Sequence, residues 1–308
     1  MSNIVILFSG QGAQKIGMAS DWLESSATAG KLADQANLTL GFSLTDIMLN
    51  GPEEKLTGTS HCQPALYLHG LIGLALLKEH LPDITITAAA GLSLGEFTAH
   101  AAAGTFSFED GLRLVSRRGT YMEEACNETD GSMAALIGGD ESRIRELATA
   151  TAVDIANLNA PGQIVLSGPS GNIDRAIALA KDFGVRRAIK LKVAGAYHSR
   201  LMASAQEKLA SELAGTLITR PAIPVVANFT AKPTASEGEI RTNLTSQVTG
   251  PVRWTESIQY LVDAGHELFI EIGPGKVLAG LVAKITPGVT VLSVEDMPSL
   301  EAAVKQLS

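Results

Sequence analysis

The stretch TITAAAGLSLGEFTAHAAAG, residues 85–104, decides how the chain is read. Its first part, Ile86 to Ala90, is a short apolar run suited to a buried strand. Gly91-Leu92-Ser93-Leu94-Gly95 follows at once, and an alanine-rich, helix-forming segment comes next. Strand, G-x-S-x-G and helix in succession is the context of a nucleophile elbow. A Cβ at either glycine would obstruct the sharp reversal from strand to helix. Ser93 is therefore expected at the tip with its hydroxyl exposed. The backbone N–H of Leu94 should point out from the positive end of the new helix, so an attacking oxygen and an oxyanion donor arrive together. A glycine-rich turn without chemistry shares the same pattern.

Upstream, residues 3–8 are an apolar run expected as a central parallel strand. The run ends in Ser9-Gly10-Gln11-Gly12-Ala13-Gln14, at the strand end where open α/β sheets place their binding crevice. Gln11 can offer its side chain or its N–H as the second half of an oxyanion hole. Helical patterns continue to about residue 56, and a long helix spans about 60–79. Downstream, Ser107 with Glu109 and Asp110 marks the start of a helix over 107–125. That helix carries Arg113, Arg117 and Arg118. Neighbours on a helix sit about 100° apart, so Arg117 and Arg118 cannot share a face and one can turn inward.

The grammar then changes. Strands are expected over 133–138, 153–158, 163–167 and 187–193, with helices over 141–149 and 171–183 and an Asn159-Ala160-Pro161-Gly162 turn. The order β-α-β-β-α-β is the ferredoxin-like arrangement. It reads as an insertion, with hinges near Thr129 and Gly195, dividing the chain into 1–128, 129–195 and 196–308. The α/β pattern resumes with helices over 199–215, 237–247 and 254–264 and strands over 223–228, 268–272 and 290–293. The strand over 268–272 opens through Gly273-Pro274-Gly275 into another helix.

Composition narrows the class. With 24 Lys and Arg against 32 Asp and Glu, the 308-residue chain carries a formal charge of −8, which disfavours nucleic-acid or membrane-surface binding. Cys62 and Cys126 form neither a disulfide framework nor metal-ligand spacing, which suits a reducing cytoplasm. No signal peptide is expected in SNIVILFSG, and the longest apolar run, 64–77, is too short for a membrane span.

A serine nucleophile needs a base, and there are six histidines. His266 precedes its strand and belongs to the opposite sheet edge. His100 lies about 10 Å along the helix from Ser93. His80 and His69 sit at the far end and middle of their helix. His61, at that helix's start, and His198, in the loop returning from the insertion, remain, with loop position favouring His198. Either would give an activity that falls on acidification near an ordinary imidazole pKa of roughly 6 to 7 unless the site shifts it.

Gly10-Gln11-Gly12-Ala13-Gln14, Gly91-Leu92-Ser93-Leu94-Gly95-Glu96, Arg118-Gly119 with Met122, Asn159-Ala160-Pro161-Gly162-Gln163, Ala196-Tyr197-His198-Ser199 and Glu271-Ile272-Gly273-Pro274-Gly275 occur in this order. Together they closely resemble the malonyl-CoA:acyl carrier protein transacylases of fatty-acid synthesis, over nearly the whole chain. The resemblance implies an α/β-hydrolase-like main domain with a parallel sheet plus the inserted ferredoxin-like domain. It implies Ser93 as the acylated nucleophile, His198 as its base, and Gln247 as the residue whose backbone carbonyl orients that base, with no acidic third member. The N–H groups of Gln11 and Leu94 would form the oxyanion hole. Arg118 would hold the malonyl carboxylate, with Met122, Asn159 and Tyr197 also contacting substrate. Malonyl-CoA, CoA and a transiently bound acyl carrier protein are the implied partners; no metal or redox cofactor, and a monomer, are expected. Three positions depart from the family pattern: Ser9 stands for Pro, Leu92 for His and Tyr197 for Phe.

Two rival readings remain at this level: a serine thioesterase or esterase, for which a fixed Arg118 has little use, and an idle carrier-protein docking module. A polyketide-pathway acyltransferase would look the same. Lys181, Arg186, Arg187, Lys190 and Lys192 form a basic cluster in the acidic chain, with Lys190 and Lys192 on one strand face. The cluster can steer an acidic carrier protein or the CoA phosphates, or be an ordinary solvated surface.

Overall fold

The computed structural model describes residues 4–308; Asn3, expected in the first strand, lies outside the described residues. Among these residues eight strands form two separate sheets: β1 (Ile4–Phe8), β2 (Ile86–Gly91), β3 (Gly131–Ile137), β4 (Asp154–Ala160), β5 (Gln163–Pro169), β6 (Arg187–Lys190), β7 (Leu268–Ile272) and β8 (Thr290–Val294). The first sheet, in the order β2-β1-β7-β8, is parallel throughout. The second, in the order β4-β5-β3-β6, is antiparallel.

Side chains alternate across a strand, and β1 shows what that does when both faces are covered. Ile4, Ile6 and Phe8 enter one core with Leu66, Leu68 and Ile72 of helix Thr59–His80 and Phe97 of helix Leu94–Ala102. Val5 and Leu7 enter another with Trp254, Ile258 and Leu261 of helix Trp254–Asp263 and Leu278 and Leu281 of helix Val277–Ile285. All five β1 residues are buried, so each apolar side chain contributes ~1.5–3 kcal/mol relative to exposure. The long helix Thr59–His80 is buried along most of its length because the sheet and helix Phe108–Glu128 cover it from two sides. Among the described residues no helix is long and apolar enough to cross a membrane.

The antiparallel sheet has its own core: Ala134 and Leu136 of β3 and Ile164 and Leu166 of β5 pack on Ile144, Leu147 and Ile173 of its two helices. The alternate residues Met133 and Val165 look the other way and join the first core. A backbone seam ties the units together, with Leu158 N–H donating to Val252 O (2.9 Å) and Val252 N–H to Ala156 O (2.8 Å).

Two expected strands differ. Residues 223–228 make only single bridges, Ala89 to Val225 and Val226 to Pro233, because Pro224 has no N–H to continue a ladder beside β2. The last strand of the antiparallel sheet stops at Lys190, leaving Leu191 one further bond to Met133 O before the chain turns away. Glu271, in the Glu-Ile-Gly-Pro-Gly motif, plays a structural part. Its carboxylate accepts the N–H groups of Leu278 (2.9 Å) and Ala279 (2.8 Å) and caps helix Val277–Ile285.

Candidate active site

The elbow follows from close approach. A Cβ on Gly91 would stand 2.0 Å from the Gly95 backbone, and one on Gly95 would stand 2.2 Å from Phe8 O. Ser93 at the tip takes φ 54°, ψ −106°, a conformation that costs a non-glycine residue on the order of 1–3 kcal/mol and persists only where its surroundings hold it. Asn228 and Gln247 do the holding: Ser93 N–H donates to Asn228 Oδ1 (2.6 Å), and Gln247 Nε2 donates to Ser93 O (2.9 Å).

Ser93 opens into a cleft of about 660 Å³ between the two sheets. Gln11, Leu92, Met122, Asn157, Asn159, Val165, Lys192, Tyr197, His198 and Val277 line it, so the loop after β1, the elbow and the face of the antiparallel sheet all contribute. The structure brings His198 to Ser93, with Nε2 2.7 Å from Oγ. Its Nδ1 lies 2.7 Å from the Gln247 carbonyl, which can only accept, so Nδ1 carries the proton and Nε2 is left to receive the serine's. His61 does not line the cleft; it packs edge-on to Phe42, with ring centroids 5.6 Å apart.

Beneath the serine lies Arg118, 1% exposed and without a carboxylate partner among the described residues. Nη1 donates to Gln63 Oε1 (2.8 Å); Nη2 donates to Gln247 Oε1 (2.8 Å) and reaches Ser93 Oγ (3.1 Å). Its Nε has no partner among the described residues, and the guanidinium faces the Phe97 ring at 5.4 Å. Burial pulls its pKa well below the usual guanidinium value, down to about 10, so it stays charged at neutral pH. Glu96, wholly buried in the first turn of the elbow helix, is the neighbouring acid. Burial raises it from 4.5 to about 7, against hydrogen bonds from Asn228 N–H (2.9 Å) and Gln247 Nε2 (2.6 Å) and the field of Arg118.

For His198, burial first and the Arg118 charge second lower the pKa from 6.5 to about 4, while the bonds at Gln247 and Gly250 oppose the shift. The sequence alone placed the acid limb near an unshifted imidazole; these surroundings move it. The imidazole is neutral and able to take a proton throughout pH 5 to 8. The rate of acyl-serine formation, read by short pH jumps, is expected to stay level down to about pH 5 and fall with a midpoint near 4. A midpoint near 6.5 would mean a solvated base. Short jumps are needed because the buried His69, lowered to about 4, and His100, lowered to about 3, are also held neutral. For these three histidines the unfolded chain binds more protons below pH 6.5, so their contribution to stability is complete above that value and is lost as pH falls. Glu96, raised to about 7, contributes in the opposite sense.

Among the described residues, neither Gln11 N–H nor Leu94 N–H has a protein acceptor; as the first residue of its helix, Leu94 has none within it. Tyr197 Oη is 2.7 Å from Thr59 Oγ1, which also accepts from Gln11 Nε2 (3.3 Å), a link phenylalanine lacks. Ser9 N–H donates to Ile272 O (3.4 Å), a bond proline could not make. The basic cluster divides: Lys190 pairs with Asp174 at 2.6 Å on the exposed surface, worth ~0–1 kcal/mol, while Lys192 reaches the cleft. Sequence reasoning missed Gln63, Asn228 and any role for Glu96. A glutamine inside the apolar helix and a carboxylate beside the elbow were the visible signals.

The sequence profile of the acyl transferase domain matches residues 5–303. The chain belongs to the acyl transferase family. This acyl transferase is 40% identical over 314 residues to the malonyl CoA-acyl carrier protein transacylase of Bacillus subtilis, covering 100% of this chain and 98% of the relative. It is 37% identical over 306 residues to the enzyme of the same name from Staphylococcus aureus, covering 98% of each. The solved malonyl CoA-acyl carrier protein transacylase of Coxiella burnetii superposes with TM-score 0.96 at 33% identity, over 99% of this chain and 98% of that one. A malonyl-transacylase solved in complex with its type II polyketide acyl-carrier protein superposes with TM-score 0.94 at 35% identity, over 99% of this chain and 100% of that one.

Proposed function

We propose that the cleft transfers malonyl groups from malonyl-CoA to the phosphopantetheine thiol of an acyl carrier protein, in fatty-acid synthesis, through a malonyl-serine. The observation that carries this reading is the contact set around Ser93 Oγ: His198 Nε2 at 2.7 Å and the buried Arg118 Nη2 at 3.1 Å. His198 takes the hydroxyl proton as Oγ attacks the thioester carbonyl, and Gln247 O steadies the resulting imidazolium through Nδ1–H. The oxyanion forms against the unengaged N–H groups of Gln11 and Leu94. CoA leaves with the proton. The carrier thiol then gives its proton to His198, attacks the malonyl-serine and regenerates Ser93. Proton and acyl transfer supply every step, so no metal or redox cofactor is required.

Arg118 takes the malonyl carboxylate, and Met122, Asn159 and Tyr197 bound the acyl pocket. Lys192 puts a cation at the cleft for the phosphates of CoA or for an acidic carrier protein. The parallel sheet is the core of an α/β-hydrolase-like domain, residues 1–128 and 196–308. The unit at 129–195 is a ferredoxin-like insertion; its βαββαβ order and separate core support that division. The protein works as a cytoplasmic monomer.

Incubation with labelled malonyl-CoA, with and without holo carrier protein, tests the reading. Labelled protein that discharges to the carrier is expected. Discharge to water alone would make it a thioesterase, and no labelling would leave a docking module.

A further inference from the structure

We infer that Glu96 is a positioning residue that holds Ser93 in its reactive conformation through Asn228 and Gln247. The inference rests on the acyl-transfer reading for its substrate arm. The two groups that fasten the Ser93 backbone, Asn228 Oδ1 on its N–H and Gln247 Nε2 on its carbonyl, belong to segments far apart in sequence. One oxygen joins them: Glu96 Oε2 accepts Asn228 N–H (2.9 Å) and Gln247 Nε2 (2.6 Å). Asn228 Nδ2 extends the brace to the other side of the elbow by donating to Gly91 O (2.8 Å).

The same oxygen sets the orientation of Gln247. Its amide nitrogen faces two acceptors, Glu96 Oε2 and Ser93 O, and its amide oxygen faces a donor, Arg118 Nη2. Only one of the two amide orientations satisfies all three. Gln247 also presents its backbone carbonyl to His198 Nδ1, so a displaced Gln247 moves the base as well as the nucleophile. Without an acceptor at position 96, a buried backbone N–H on Asn228 and a buried amide proton on Gln247 lose their partner, and the elbow loses both fastenings together. Glu96 touches neither Ser93 Oγ nor the cleft; it acts through its neighbours.

The test compares wild type, Glu96→Ala and Glu96→Gln in single-turnover acylation by malonyl-CoA and acetyl-CoA, and in phosphonylation of Ser93 by a small fluorophosphonate. In that probe reaction the serine oxygen bonds to phosphorus, fluoride leaves and His198 takes the proton. Glu96→Ala is expected to lower the maximal rate about 100-fold for both acyl donors and the probe, with half-saturating concentrations within threefold. Glu96→Gln should recover at least tenfold of that loss, since one amide oxygen can accept both N–H groups. A folded Glu96→Ala that reacts within threefold of wild type, with only a lower melting temperature, overturns the inference. Failure of Glu96→Gln to recover any rate overturns it too. Should Glu96→Ala not fold, Asn228→Ala removes one fastening directly, and an unchanged maximal rate there would also overturn it. Wild type that takes the fluorophosphonate but not malonyl-CoA would instead sink the substrate reading while leaving the positioning inference measurable with the probe.

Discussion

Replacing His198 by alanine is expected to slow malonyl-serine formation by about 10²–10⁴-fold, the usual worth of a positioned general base, and Ser93→Ala to abolish it. The size of the loss follows from the geometry. Among the described residues Ser93 Oγ has one proton acceptor in reach, His198 Nε2 at 2.7 Å, and its other contact, Arg118, only donates. Both variants should fold, because neither Ser93 nor His198 is itself a member of the hydrophobic cores. Quenched-flow labelling with malonyl-CoA reads the rate, and His61→Ala serves as the control because His61 lies outside the cleft. Wild-type labelling by His198→Ala, or an equal loss in His61→Ala, would refute the assignment.

Arg118→Ala should cut kcat/KM for malonyl-CoA by at least about thirtyfold while acetyl-CoA loses far less. A malonyl carboxylate entering the cleft leaves water, and a fixed, charged fork of donors offsets that desolvation. Arg118 is suited to this because among the described residues no carboxylate pairs with it directly; it is held by the amides of Gln63 and Gln247. Neutral amides position the guanidinium without satisfying its charge. Removing one partner of a buried charge pair costs on the order of 2–5 kcal/mol, which sets the lower bound of the loss. Arg117→Ala should change neither substrate much. Equal losses for malonyl and acetyl would show that Arg118 acts through its 3.1 Å contact with Ser93 Oγ instead of on the acyl group.

What the sequence made legible was local. The elbow could be read because backbone crowding at Gly91 and Gly95 admits only glycine, so the geometry is written in the residues themselves. The antiparallel unit could be read because β3, β4 and β5 place residues both in its own core and along the cleft. Helix spacing showed that one of Arg117 and Arg118 can turn inward and the family resemblance pointed to Arg118, but neither placed it in contact with the serine. Asn228 and Gln63 stayed hidden because an amide in an apolar segment looks the same whether it caps a turn or fastens a nucleophile. Residues 223–228 have the composition of a strand, but Pro224 within them has no N–H to continue the ladder and they make isolated bridges only. The depth of the His198 shift was out of reach for the same reason: burial is a property of the assembled fold.

The strand order β2-β1-β7-β8 has a consequence for how the molecule comes into being at the ribosome. β1 emerges first, yet one of its two neighbours, β7, is made only with residues 268–272. An apolar central strand therefore waits with one edge unpaired until β7 is made, the situation in which nascent parallel sheets are slow to close and prone to stick to one another. The active centre matures on the same schedule. The elbow is synthesised early, but its proposed base is 105 residues further along and its fastenings 135 and 154. A chain released before residue 247 thus carries a serine with no oriented histidine behind it. On the proposed mechanism such a truncated product is expected to be inert toward malonyl-CoA, which labelling of a chain ending before residue 247 would read.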